Sequence, residues 1–202
     1  AWNALQRDPM HLIPEEWRTS TITPVFKNKG QRTDLNRYRP ISVQITARKI
    51  VTKIIQRRIN PLLIHIINRE QFAFVPGRDI WEAPSQLMAM IHAAYRDKQP
   101  MAIISFDSAG AYDTVDQNFI LAAMNTMGFN DHLCAVIEML CLSEKFAHIK
   151  LNGKLSQRFN VESGIAQGDA LSCLLYVIAM SVRMVNVCER VRLYTEGACP
   201  DL

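Results

Sequence analysis

The sequence contains no C-x-x-C pair, and its cysteines are odd in number: Cys134, Cys141, Cys173, Cys188 and Cys199. That spacing supports neither a zinc site nor a disulfide framework. Cys134 and Cys141 fall seven apart on a predicted helix and read as packed thiols. A reducing compartment fits best. No secretory leader is visible. The longest apolar stretch, 171–187, carries Arg183 and Asn186 and is too short for a convincing membrane span, so a buried helix is expected there. Internal repeats and low-complexity tracts are also missing. The chain starts with Ala rather than Met, as a segment from inside a longer protein would.

What is present is ordinary globular material. The 202 residues are 49% hydrophobic and 21% charged, enough for one domain or one and a half around a real core. Net charge is only +4, but it is unevenly spread. Residues 1–60 hold 12 Lys and Arg against 4 Asp and Glu, a net of +8; the rest hold 11 against 15, a net of −4. A basic front and an acid-bearing back suit an anionic ligand gripped by one and metal ions held by the other. Solvated surface charge would give the same asymmetry.

The chain is organised around M-A-I-I-S-F-D-S-A-G-A-Y-D-T-V-D at 101–116. The apolar run Met101–Ile104 reads as a buried strand that delivers Asp107 at its end. An acid there is costly unless it is paired or bound to a metal. The small residues that follow, Ser108 to Ala111, let a ligand approach the backbone. Asp113 and Asp116 precede a helical pattern (Phe119, Ile120, Ala123, Met124, Met127), and either can act as its cap.

Upstream, Pro9 and Pro14 break any long helix. Ser20–Phe26 reads as a strand that Pro24 confines to an edge or bulge. Ile41–Val43 is extended again, giving a hairpin with Lys27, Lys29, Arg37 and Arg39 near its tip, a set suited to phosphates. From Thr46, a fair N-cap, Ile50, Ile54 and Ile55 recur at helical spacing beside Lys49, Lys53, Arg57 and Arg58. That basic face suits a nucleic-acid backbone or plain solvation. Pro61 is expected to open a second short helix through Ile67. A loop over 70–79 leads to a helix near 80–96, with Leu87, Met88, Ile91, Ala94 and Tyr95 as its apolar side and Pro84 in its first turn.

Gly128 stops the helix after Asp116. Asn130 or Asp131 caps another, Leu133 to about Ser143. Lys145–Leu151 and Leu155–Val161 are strand-like and joined by Asn152-Gly153, a strong hairpin signal. The loop 163–169 opens the long apolar helix from Ala170 to about Arg190. Its Gln167, bracketed by Gly164 and Gly168, can approach a bound base pair or sugar, or the glycines are turn residues only. Residues 193–202 carry no pattern.

Five segments in order resemble reverse transcriptases of retrotransposons without long terminal repeats (LINE-type). They are W-R-T-S-T-I-T-P-V-F-K at 17–27, N-R-Y-R-P-I-S-V at 36–43, E-Q-F-A-F-V-P-G-R at 70–78, F-D-S-A-G-A-Y-D at 106–113 and G-I-A-Q-G-D-A-L-S-C-L-L-Y at 164–176. The resemblance covers about residues 10–190. It implies an α+β right-hand polymerase: fingers over 1–98, a partial palm with a ferredoxin-like antiparallel sheet over 99–192, and an unassigned tail.

It also implies RNA-templated DNA synthesis, with an RNA template, a DNA primer and deoxynucleoside triphosphates as partners, two Mg²⁺ ions as cofactor, no membrane, and a nuclear or cytoplasmic location. Asp107 matches the first metal-binding, catalytic aspartate, and Ser108 and Ala109 would face the triphosphate. Tyr112 matches the aromatic beneath the incoming sugar that rejects a 2′-OH. Gln167 and Gly168 match the loop over the nascent base pair. Lys27 and Arg39 match triphosphate-binding cations, with Lys29 and Arg37 as substitutes.

The sequence departs from the pattern at Gly110, Cys173, Asp169-Ala170 and Ala73. It also lacks the Y-A-D-D segment that supplies the family's remaining metal-binding aspartates. The expectation is therefore a truncated reverse transcriptase, inactive alone. The alternative is a non-catalytic nucleic-acid-binding remnant. The polymerase reading requires Asp107 to face the cleft that Gln167 and the N-terminal cations border.

Overall fold

The computed structural model describes residues 13–142 and 145–195. The break expected at Pro9 and the tail from 196 onward lie outside them. The described elements run α1 (Glu15–Arg18), β1 (Thr19–Phe26), β2 (Tyr38–Val43), α2 (Thr46–Ile66), α3 (Glu82–Arg96), α4 (Gln117–Thr126), α5 (Asp131–Ile137), β3 (Lys145–Leu151), β4 (Lys154–Leu155), β5 (Phe159–Val161) and α6 (Ser172–Thr195). The fold is mixed α+β. Its sheet has the order β2-β1-β3-β4, with β5 also paired to β3.

This is not the antiparallel sheet expected around Asp107. β1 pairs antiparallel with β2 but parallel with β3, Thr19 opposite Phe146 through Ile22 opposite Ile149. The strands thus come from both sides of residue 98. Pro24 lies beyond the stretch of β1 that pairs with β3, where only β2 flanks it, and it sits opposite Pro40. A proline is tolerated there because no ladder bond needs its missing N–H.

Residues 101–107 do not form a strand. No described strand lies alongside them, so the backbone has no ladder to join. Ile104 is 74% and Phe106 86% exposed. The apolar run is real, but a strand needs a neighbour as well as a pattern. The same holds for α3: it forms where expected, with Pro84 in its first turn, yet none of its residues is buried.

The core lies where α4, α5, the following π-type turn Glu138–Leu142 and α6 meet the buried side of α2. Ile120, Met124, Ile137, Leu175 and Ile178 are fully enclosed. Each contributes about 1.5–3 kcal/mol by leaving water. Asp116 caps α4, accepting from Phe119 N at 2.9 Å, and Asn130 caps α5, accepting from Leu133 N at 2.8 Å. The Asn152-Gly153 turn has both residues at positive φ, 50° and 78°, and sets Leu151 opposite Lys154. The second strand of that hairpin is split, because Ser156 turns its hydroxyl to accept from Ile149 N at 2.9 Å.

Two helix expectations are revised. Residues 46–66 form one helix with Pro61 inside it, not two, and the residue preceding it, Ile45, offers no side-chain cap. The buried face of α2 is Arg48, Thr52, Ile59 and Leu63, while Ile50 and Ile54 face solvent. At the other end α6 runs to Thr195, past the expected stop. By length and composition 172–189 could cross a membrane, but its Leu174, Leu175, Val177, Ile178 and Ala179 are buried in the core.

Candidate functional site

The loop 163–169 docks against two other segments by backbone bonds. Gly164 N donates to Val115 O at 3.0 Å, Ile165 N to Tyr112 O at 2.8 Å, and Ser42 N to Gln167 O at 2.7 Å. Both glycines are set by these approaches. A Cβ on Gly164 would sit 2.7 Å from the carbonyl oxygens of Tyr112 and Asp113, and one on Gly168 would sit 2.9 Å from Ser42 O. Their φ values of 78° and 122° also favour glycine. The glycines therefore make room for the protein's own backbone.

Gln167 donates its amide to both carboxylate oxygens of Asp113, at 3.0 and 3.1 Å. Asp113 stands on a turn whose N–H bonds to Gly110 O at 2.8 Å. Neighbouring Tyr112 turns inward and stacks on Tyr176, ring centroids 5.1 Å apart. Its hydroxyl donates to Cys173 Sγ at 3.3 Å. Burial, then the Cys173 contact, pushes the phenol well above its ordinary range.

Tyr112, Gln167 and Gly168 line one cleft of about 530 Å³ together with Ile41, Lys49 and Lys53. Arg39 shares its face of β2 with Ile41, two residues on, and is exposed. The structure thus brings Tyr112, Gln167 and Gly168 together, with Arg39 on the same face of the sheet.

Other expected site residues lie elsewhere. Asp107 is exposed on the unpaired segment and does not line this cleft, so the placement that the polymerase reading asks of it is not found. Ser108 lines a different cleft of about 360 Å³ with Asp116, Tyr176 and Arg183. Ala109 is exposed beside it in sequence. Lys27 folds back on the hairpin tip, donating to Asn36 O at 2.9 Å, and Arg37 pairs with Asp34 at 3.1 Å. Lys29 is exposed on the same tip.

Sequence reasoning missed a buried polar network under the loop. Arg48 Nη2 meets Asp169 Oδ2 at 3.0 Å with both side chains all but fully enclosed, 2% and 1% exposed. Lys145 donates to Gly164 O at 3.0 Å. Burial lowers its ammonium to about 8 and pushes the Cys141 thiol up to about 12. Two signals were available. Arg48 is in helical phase with Thr52, Ile59 and Leu63, and an acid heads an otherwise apolar helix at Asp169. The third matching segment, 70–78, does not line the cleft. Arg78 donates to the carbonyls of Ile67, Asn68 and Gln71, closing the end of α2.

The fold is thus a mixed α+β one that presents a glycine-bracketed glutamine loop and an aromatic at one cleft with two lysines. The chain belongs to the reverse transcriptase (RNA-dependent DNA polymerase) family, whose profile matches residues 26–194. It is 25% identical to the "Transposon TX1 uncharacterized 149 kDa protein" of Xenopus laevis, over 89% of this chain and 14% of that protein. It is 24% identical to the "Probable RNA-directed DNA polymerase from transposon BS" of Drosophila melanogaster, over 88% and 19%. To the "RNA-directed DNA polymerase from mobile element jockey" of the same fly it is 26% identical, over 84% and 18%. Its relatives are retrotransposon proteins of the type without long terminal repeats. The chain spans less than a fifth of the length of these three.

Proposed function

We propose that this chain is the nucleotide- and template-facing part of an RNA-directed DNA polymerase, and that it does not extend a primer alone. The observation that carries this, beside the family match, is the gathering of Tyr112, Gln167 and Gly168 at one cleft with Lys49 and Lys53. In this reading the cleft takes a deoxynucleoside triphosphate. Lys49, Lys53 and Arg39 meet the phosphates, Tyr112 carries the sugar, and the Gln167 amide leaves Asp113 for the nascent base pair. Residues up to 98 act as fingers and 99–192 as part of a palm.

Nucleotidyl transfer in this family uses Mg²⁺, and a two-ion site holds its metals about 3.5–4 Å apart with several carboxylates. The donor set does not fit that need. Asp107 is exposed, and among the described residues no three His, Cys, Asp or Glu side chains converge as a metal site would require.

The test is purified full chain with an RNA template annealed to a DNA primer, deoxynucleoside triphosphates and Mg²⁺. Expected are nucleotide binding, weakened by Gln167→Ala, and no extension. Robust DNA synthesis would overturn the second half of the proposal, and failure to bind nucleotide would overturn the first. A second reading, a non-catalytic nucleic-acid binder, is favoured by the +8 charge of residues 1–60. It predicts salt-sensitive binding to an RNA–DNA hybrid that survives Asp107→Ala, with no triphosphate binding.

A further inference from the structure

We propose that Arg48 is a positioning residue for the Gln167 loop, acting through Asp169 from beneath the cleft. The pair joins α2 to the last residue of the loop across 121 positions of sequence. Arg48 donates from Nη2 to Asp169 Oδ2 at 3.0 Å and from Nη1 to Trp17 O at 3.1 Å, so its planar fork ties the chain before β1 to the loop. Asp169 is held from its other oxygen as well, accepting from Leu171 N at 2.9 Å. Gln44 closes the network. With its amide oriented so that both groups are satisfied, its nitrogen donates to Asp169 Oδ2 at 2.9 Å and its oxygen accepts from Arg48 Nη1 at 3.1 Å.

The placement explains why a buried ion pair is worth keeping here. Such a pair is a weak source of stability, because desolvation offsets most of the attraction. It is a strong source of geometry, since a planar guanidinium held at Nη2 by Asp169 and at Nη1 by Trp17 O accepts only a narrow set of arrangements. Gln167 and Gly168 directly precede Asp169. Fixing Asp169 fixes where the Gln167 backbone meets Ser42 and where its side chain starts. Neither Arg48 nor Gln44 lines the cleft, so their influence on a ligand there is indirect. Lys49, one residue on from Arg48, does line it, so α2 supplies the support and a wall of the site together.

The functional half of this inference rests on the polymerase reading; the positional half does not. The experiment compares wild type, Arg48→Lys and the double variant Arg48→Met/Asp169→Asn in the full chain. The double variant removes both charges together, leaves an oxygen for Leu171 N, and offers an amide donor to Gln44, whose own amide turns over to accept it once Arg48 no longer needs its oxygen. Hydrogen exchange is read at the amides of Ser42, Ile165 and Asp169, with α4 amides as the control for global stability. Expected is exchange at the loop amides at least tenfold faster in the double variant, with α4 unchanged and Arg48→Lys in between. Unchanged protection of the loop, or an equal loss over loop and α4, overturns the positioning role.

Binding of deoxythymidine triphosphate is measured on the same samples. Because Asp169 itself borders the cleft, Arg48→Lys, which leaves it in place, carries this comparison: weaker binding than wild type extends the role to the ligand, and equal binding with a loosened loop overturns that extension. A wild-type chain that binds no triphosphate refutes the polymerase reading instead, and the exchange data still judge the clamp.

Discussion

Lys145→Met tests whether a buried cation lies beneath the loop. Lys145 is 7% exposed, and burial lowers its ammonium to about 8 from an ordinary 10.5. Between those values the unfolded chain binds more protons than the folded one, so stability rises with pH across that window. A shift of about 2.5 units corresponds to about 3 kcal/mol. Cys141 works in the opposite direction. Its thiol is pushed up to about 12 from 9.0, so the folded state holds a proton that the unfolded chain loses, and stability falls from pH 9 upward. In wild type the two effects overlap, which leaves a clear rise only between about pH 8 and 9.

Methionine keeps the aliphatic stem and removes the charge. Gly164 O keeps a donor, because Gln117 Nε2 also reaches it at 3.1 Å. Urea unfolding of both proteins from pH 7 to 10.5, each carrying Cys141→Ala, then isolates the lysine, since the thiol and the ammonium otherwise shift each other. The stability of the chain that keeps Lys145 should gain on that of Lys145→Met by about 3 kcal/mol over this range. Parallel curves would refute the reasoning and place the ammonium in water.

Asp116→Ala removes the cap on α4 and should cost about 1 kcal/mol in urea unfolding. Gly164→Ala sets a Cβ against two carbonyl oxygens at a positive φ and should cost at least about 2 kcal/mol. Ile104→Ser should change stability by less than about 0.5 kcal/mol, because the side chain is already in water, whereas Ile120→Ala should cost about 2–5 kcal/mol. Asp113→Ala and Gln167→Ala, combined in a double-mutant cycle, should show a coupling of about 0.5 kcal/mol or more, measured by the same unfolding.

The parts of the fold legible in the sequence are those whose cause is local. Asn152-Gly153 fixes its hairpin because two residues with positive φ can close a two-residue turn by themselves. Asp116 and Asn130 cap the helices that start beside them, and Gly128 follows α4 at a φ of 81°. What was not legible needs a partner far along the chain. The parallel pairing of β1 with β3 joins residues about 127 apart, and no pattern in either strand names the other. Periodicity identified the apolar side of α3 and the strand-like run 101–104, but it cannot say what covers them. Along 101–104 the side chains are exposed, and on α3 Leu87, Met88 and Tyr95 are exposed while Ile91 and Ala94 are only half-buried. On α2 periodicity was right for Ile55, which packs against the core, but not for Ile50 and Ile54, because the fully buried side is anchored by an arginine whose partner is Asp169.

The same distinction applies to the site. Residues 36–43, 106–113 and 164–176 were read as separate segments, each with its own contact to a substrate. In the fold they contact one another: Ser42 N on Gln167 O, Ile165 N on Tyr112 O, Gln167 on Asp113. Gly164 and Gly168 are small because carbonyls of the other two segments occupy the space a Cβ would need. A good part of what makes these segments recognisable is therefore mutual packing, which holds without any substrate bound. Packing of this kind can persist while Asp107, six residues ahead of Asp113, stands exposed on an unpaired stretch. Family membership and a working metal site are thus separable properties of the chain, since one is carried by contacts among the three segments and the other by carboxylates those contacts do not position.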